Sequence, residues 1–541
     1  MILGGLWFGS QKPAMGTFLK PLYETIAILQ NGIELQSPGQ KGNFICRAFL
    51  LCVTADLPAR SLLCNSIQYN GAYGCWKCFQ TGETAKIGKG HTHNFPFNDI
   101  SLKGPKRISD LVLNEAKKVV YNQSIGSKNI IINGVKGPTW LSFFPMFNIV
   151  KGIAIYYMHG VLLGVQKLLL RLRFSNEFSG KKFNFHIKVS EVDKRLLGIL
   201  PTLEISRLPR SICTDLKHWK AAEYRSFLLF YGAPILSGIL DYARFNHYIL
   251  LVNALDILLS NGCSLQDIQE AEIMLLQFCK YFENLYDKCY MTLNIHQLVH
   301  LADSVRELGP LYTHSCFHFE DKIGFLLKMI RGTHTIDNQI ITGVSFVQKL
   351  PELKQECIIK GSEAERLYNL IESPSLLKRC EQLEEGVYVL GSFHSQILKE
   401  DEFNSLAIYF GSCPQSNEVN AFNRLQLRDC LVYGNNYKRM TKCNNSTIKY
   451  TVNRKICFGH VSFFFFTFTS TDDENQKGVF AFVEILQCPN YNEKLNILAV
   501  EKTVDVEVVP LSCILTGCML VEFPAAKYAY TCLYPNSLES D

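Results

Sequence analysis

The sequence predicts an α+β chain whose helices and strands are largely segregated along its length, and three patterns predict it. Apolar residues recur at helical spacing in residues 14–33 and again across residues 190–350. An apolar run at 44–55 has strand character, and short β-rich runs dominate from about residue 386.

Taken in order, AMGTFLKPLYETIAILQNGI (14–33) reads as a helix stopped by Asn-Gly. FICRAFLLCVTA (44–55) reads as a buried strand that ends at Asp56 and a Pro-containing turn. Residues 82–105 are polar and Gly-rich without clear periodicity. ILLVNALDILL (249–259) and IQEAEIMLLQFCKYFENLY (268–286) place apolar residues three and four apart, as amphipathic helices do. GVYVLGSF, LAIYFGS, KICFGHVSFFFFTFT, GVFAFVEIL and DVEVVPL follow, separated by Asn, Asp and Gly turns; they predict a small all-β barrel or sandwich. The two patterns meet near 370–385, the expected domain boundary, and no internal repeat is seen.

The chain has 541 residues, 47% hydrophobic and 19% charged, enough to bury a core without disulfide staples. A net charge of +6 permits contact with a polyanion without demonstrating it. The 20 cysteines are scattered, and the opening MILGGLWFGSQKP has neither the basic start nor the apolar run of a signal peptide. No apolar run approaches the roughly 18 residues of a membrane span. The expectation is a nuclear or cytoplasmic protein, not secreted and with no membrane partner, in which the sequons at Asn122, Asn444 and Asn445 are chance.

Cys75 and Cys78, in GCWKC, have the two-residue spacing that tetrahedral zinc favours. His296 and His300, in NIHQLVHL, lie one helical turn apart, so both imidazoles can reach one ion. Two surface histidines are the plain alternative, and His91 and His93 in GHTHNF compete as ligands from a flexible stretch. Thiolate and imidazole favour zinc over magnesium, and joining the two pairs would clamp a distant helix onto the strand-turn region.

Asp56 is the first aspartate of the chain. It reads either as a turn-capping residue or as a metal-binding carboxylate at a strand end. Glu320 and Asp321, in GPLYTHSCFHFEDKIG, fit a helix-start acidic pair or a second metal-binding position. His159, in YYMHGVLLGVQKLLLRL, taken alone reads as a buried core histidine. Lys151, Lys167, Arg171, Arg173, Lys181 and Lys182 form either a solvated face or a set of phosphate contacts.

Together, GLWFGSQKPAMGTFLKPL, ADLPARSLLCN, GAYGCWKC, YMHGVLLGVQKLLL, LPRSICTDLKHWKAAEYRSFLLFYGAPIL, NIHQLVHL, GPLYTHSCFHFE and TCLYPNSLESD resemble, in order and spacing, the transposases of CACTA (EnSpm-like) DNA transposons. The arrangement is also similar to the V(D)J recombinase core, with Cys-x-x-Cys after its second aspartate and paired histidines before its glutamate. The resemblance implies a partial RNase H-like core with a large helical insertion, followed by a small all-β C-terminal domain. It divides the chain into 1–185 (core with the Cys-x-x-Cys half-site), 186–375 (insertion and closing part of the core) and 386–541 (β-rich domain). It implies structural Zn²⁺ on Cys75, Cys78, His296 and His300, and DNA strand cleavage and transfer by two Mg²⁺ or Mn²⁺ ions held on an Asp-Asp-Glu set. Asp56 matches the second aspartate, and Glu320, 264 residues further on (from 56 to 320), matches the glutamate.

Two departures bear on activity. The family's first aspartate lies upstream of the segment matched by GLWFGSQKP, where this chain begins, so the early strands would be missing and a sheet edge left exposed. Where the family usually has Asp-Tyr-Met-His, this chain has Tyr156-Tyr157-Met158-His159. The expectation is therefore a truncated, inactive transposase-derived protein whose partners are DNA, at transposon ends, and further copies of the chain. A non-enzymatic DNA- or chromatin-binding protein is the alternative. A zinc hydrolase using His296 and His300 fits least: Gln297 stands where the base glutamate would be, and four protein ligands leave no open position for water.

Overall fold

The computed structural model describes residues 3–539 apart from 8, 37–41, 373–379, 429, 436, 438–440, 472–473, 493, 524–527 and 537–538. Residues 373–379 of the predicted boundary at 370–385, and parts of the first and last resembling segments, lie outside the described residues. The chain is mixed α+β, with a helical region and a C-terminal all-β region. It divides into two compact units. One comprises residues 1–173, 180–184 and 242–357, and the other 174–179, 185–241 and 358–541.

The first unit opens with the expected helix, Met15–Asn31. Leu19 of that helix is buried in a cluster with Cys64, Trp76, Leu141, Phe144 and Ile153. The run at 44–55 departs from the expected buried strand. Asn43–Cys46 pairs with Ile33–Gln36 as an exposed hairpin, and residues 47–52 carry no strand ladder. Phe49 and Leu51 point outward, Leu51 being 81% exposed. Apolar alternation favours an extended chain, but a strand also needs a neighbour for its N–H and C=O groups. Val53 finds one, pairing in parallel with Ile153. Residues 83–94, expected to lack structure, form the hairpin Glu83–Ile87/Gly90–Asn94.

The helices Tyr242–Leu259 and Leu265–Tyr286 extend the two predicted runs, with Tyr248, Leu251, Leu255, Phe278 and Phe282 buried. The second starts with a capping box in which Ser264 and Asp267 satisfy each other's backbone N–H groups. The segment Met158–Gln166 is π-helical. Gly164 faces Asn294 so closely that a Cβ would stand 2.4 Å from Asn294 Nδ2. The glycine thus lets this segment pack against the helix Leu293–Gln297.

In the second unit the long strand Lys455–Thr471 pairs with Glu474–Gln487, which pairs in turn with Ile497–Pro510. The FFFF run shows why the strand is central. Phe464 and Phe466 pack on one side with Phe422 and Val483, while Phe463 and Phe465 pack on the other with Phe480 and Phe482. LAIYFGS, expected as a β-run, lies instead in and just after the helix Glu400–Phe410. Its apolar residues suit either period. Glu402 Oε2, accepting from Lys399 N at 2.8 Å, and Gly411 in the left-handed conformation decide for helix, and Phe403, Leu406 and Phe410 line its packed face. Among the described residues no helix is long and apolar enough to cross a membrane.

Candidate metal centre and carboxylate cluster

Cys75 and Cys78 lie on a loop held from several directions. Arg60 Nη2 donates to Gly74 O (2.9 Å), Trp76 Nε1 to Ile149 O (2.8 Å), and Lys77 Nζ to Val150 O (2.9 Å). Gly104, at φ +71°, brings its backbone so close that a Cβ would stand 3.0 Å from Cys78 Sγ. His296 lies in the last turn of the helix Leu293–Gln297, and His300 closes the following 3₁₀ turn. Phe95 stacks on His296, with ring centroids 5.4 Å apart.

These elements bring the four expected ligands together. Their ligand atoms lie within 4.8 Å of one another, and all four residues are buried. Cys78 Sγ is 3.2 Å from His296 Nε2, which is 3.3 Å from His300 Nε2. Bonds of about 2.3 Å to sulfur and about 2.0 Å to nitrogen around a tetrahedral zinc would separate S from N by roughly 3.5 Å and N from N by roughly 3.3 Å. The donor set and its spacing therefore fit a metal such as zinc. His91 and His93 stay outside: they lie on a hairpin strand, and His93 Nε2 contacts Thr81 O at 2.9 Å.

The electrostatics agree with that chemistry. Burial opposes ionisation of Cys75, but the Cys78 hydrogen bond and the two imidazoles hold its thiol well below the usual range. Cys78 is pushed up, first by its hydrogen bond to Cys75 and then by burial. One proton thus stays on the pair, and a bound dication would displace it. Burial also lowers His300, keeping the imidazole neutral and its lone pair available.

Leu57 packs against the cluster of Cys75, Cys78, Phe95 and Leu293, one residue after Asp56. Asp56 caps the helix Leu57–Leu63, its Oδ1 accepting from Ala59 N at 2.7 Å. The capping expectation is met, and the second carboxylate oxygen is not used by the cap. The parallel pairing of Val53 with Ile153 carries Tyr156 and His159 to the same place. His159 Nε2 is 3.9 Å from Glu320 Oε1, and the His159 ring stacks on Tyr156 at 4.5 Å. Glu320 lies in the first turn of the helix Phe317–Leu327, its side chain 55% exposed.

Asp56 and Glu320 both act on His159, Tyr156 and Cys316. Burial lowers His159 while the two carboxylates oppose that shift. Tyr156 is raised by burial, by its hydrogen bond with Cys316 and by both carboxylates, so it remains a neutral phenol. Sequence reasoning missed Thr54 and Cys316, whose Oγ1 and Sγ stand 3.2 Å apart. The only signal was Cys316's place four residues before Glu320. Among the described residues Asp321 pairs with its neighbour Lys322, at 3.7 Å. Among the described residues no third carboxylate joins Asp56 and Glu320 in a metal-binding group. Arg173, one of the candidate phosphate contacts, is fully buried against Tyr286 and unavailable to phosphate.

No protein-family model matches the chain, and no curated protein matches it either.

Proposed function

We propose that this chain derives from a CACTA-type DNA transposase and keeps part of an RNase H-like core clamped by zinc. The observation that carries the proposal is that Asp56 and Glu320, 264 residues apart in sequence, both act electrostatically on His159, to which Glu320 comes within 3.9 Å. Two carboxylates drawn from remote segments to one partly open place match the chemistry of metal-assisted phosphoryl transfer, in which carboxylates hold Mg²⁺ or Mn²⁺ against a phosphate. The zinc clamp supports the same reading, because it would fix the helix that Asp56 caps.

When bound, the divalent metals supply activation of water or a 3′-hydroxyl and neutralise charge on the leaving oxygen. Within this chain Asp56 offers its oxygen outside the cap, Glu320 offers an exposed carboxylate, and neutral His159 sits beside Glu320. Tyr156 stands at the position of the family's secondary acidic residue and brings no charge. Two carboxylates hold a metal pair poorly, so residues 1–541 alone should bind DNA without cutting it.

The test is Mn²⁺ binding to the purified chain, read by electron paramagnetic resonance, with a DNA-cleavage assay in Mg²⁺ or Mn²⁺. The expected result is weak Mn²⁺ binding that is lost in Asp56→Asn and in Glu320→Gln, with no cleavage. Mn²⁺ binding indifferent to both variants contradicts the carboxylate site, and cleavage abolished by Asp56→Ala contradicts the inactivity.

A further inference from the structure

A cavity of about 330 Å³ opens beside the Cys/His cluster, with His300 in its wall. Lys77, Lys103, Lys106, Arg107 and Lys151 line it, opposed by the carboxylates of Asp303 and Glu307. Five cations against two anions leave three positive charges in excess. Three of the cations are neutralised locally. Lys77 Nζ lies 3.4 Å from Glu307 and Lys103 Nζ 2.7 Å from Asp303, while Arg107 pairs with Glu115 at 3.7 Å. Lys106 and Lys151 are exposed and have no ion-pair partner among the described residues.

The same cavity receives the start of the helix Ser109–Ser124, whose N-cap residue Ile108 supplies no side-chain cap. First-turn N–H groups there are open to an acceptor. Asn148 lines the cavity and is bonded to the helix start: its Oδ1 accepts from Ser109 Oγ (2.8 Å), Val150 N (3.1 Å) and Lys151 N (2.8 Å). Those bonds fix the backbone that carries Lys151 relative to the helix start. Asp110 lies in the first helical turn but does not line the cavity.

We propose that this cavity is a phosphate-binding pocket in which Lys106, Lys151 and the uncapped start of the helix Ser109–Ser124 hold one phosphoryl group. Uncompensated lysines repel one another, and a multiply charged anion between them removes that repulsion. Lysine ammonium groups bind phosphate as point charges from any direction, and helix N–H groups complete the shell. The source favoured is a backbone phosphate of DNA. That choice rests on the function proposed above, whereas the anion pocket does not.

The test uses the full chain and two probes, inorganic phosphate and a random-sequence DNA duplex of about 20 base pairs. The double variant Lys106→Glu/Lys151→Glu is compared with Lys118→Glu, an exposed position later on the same helix that does not line the cavity. The expected result is saturable phosphate binding that the double variant abolishes and Lys118→Glu leaves intact. Duplex affinity should fall by about tenfold or more in the double variant, and the salt dependence should lose a slope of roughly 0.9, as the loss of one phosphate contact requires. Loss of phosphate binding with unchanged duplex affinity keeps the pocket and assigns it to a free phosphate compound. A wild-type chain that binds no phosphate, or a double variant that binds it normally, overturns the proposal. A pocket that holds phosphate in a chain lacking Asp56-dependent Mn²⁺ binding would survive while the transposase reading fails.

Discussion

His159 Nε2 stands 3.9 Å from Glu320 Oε1, joining a π-helical segment to the helix that starts at Phe317. The charge of Asp56 acts on the same imidazole from a third segment, where its carboxylate caps the helix Leu57–Leu63. The two roles of Asp56 are separable by substitution. Asp56→Asn keeps a good N-cap and removes the charge, so Mn²⁺ binding should disappear with stability nearly unchanged. Asp56→Ala should lose Mn²⁺ binding and, in addition, about 1 kcal/mol of stability by denaturant unfolding. Equal stability of the two variants would show that the cap contributes nothing.

Tyr156 is buried and feels the charge of both carboxylates, so it stays a neutral phenol. Replacing it by an acid places a third negative charge where two already act. Tyr156→Asp is expected to raise Mn²⁺ affinity by about tenfold or more, at some cost in stability from burying the charge. Titration with Mn²⁺ checks the first effect and urea unfolding the second. Unchanged affinity would place the metal away from residue 156.

Gly164 lets the π-helical segment approach Asn294 on the helix that carries His296. A methyl group there meets Asn294 Nδ2 and Cγ at 2.4 and 2.7 Å. Gly164→Ala should therefore cost about 1–3 kcal/mol by overpacking, measured in urea, and should weaken zinc retention against a chelator. Gly262→Ala, where a Cβ meets nothing within 4 Å, is the matched control.

His247 is buried against Phe278, with Nε2–H donating to Phe278 O at 2.8 Å, and burial pushes its pKa down to about 3. Between that value and the ordinary value near 6.5, the unfolded chain binds a proton that the folded chain does not. Folding stability therefore rises with pH across this window and is lost as pH falls from about 6.5 toward 3. Near pH 5 the loss from this one group is about 2 kcal/mol. The unfolding free energy of the first unit, followed from pH 7.5 to 5, should fall less steeply in His247→Gln. An identical slope would rule out His247 as the titrating group.

Much of the candidate site was legible because its chemistry is local in sequence. Cys75-x-x-Cys78 and His296-x-x-x-His300 each announce a pair of ligands, and only their convergence required the structure. The helices around 242–286 were legible for a similar reason, since a 3.6-residue period repeats over many turns. The run at 44–55 was misread because its period reports an extended backbone and says nothing about whether a neighbour is present to pair with it. LAIYFGS was misread because seven residues are too few to separate the two periods, and the deciding signals, Glu402 and Gly411, sit at the helix ends. Thr54 and Cys316 were invisible because their contact joins residues 262 apart and neither belongs to a ligand pattern.

The buried Cys75, Cys78, His296 and His300 cluster could hold a metal such as zinc, Leu57 packs against it one residue after Asp56, and metal content tests the proposed clamp most directly. Elemental analysis of the purified full chain should give one zinc per molecule, with two sulfur and two nitrogen neighbours by X-ray absorption, and Cys75→Ser/His296→Ala should lose the metal. A folded chain that holds no zinc when purified with zinc present, or a double variant that keeps its zinc, would contradict the clamp.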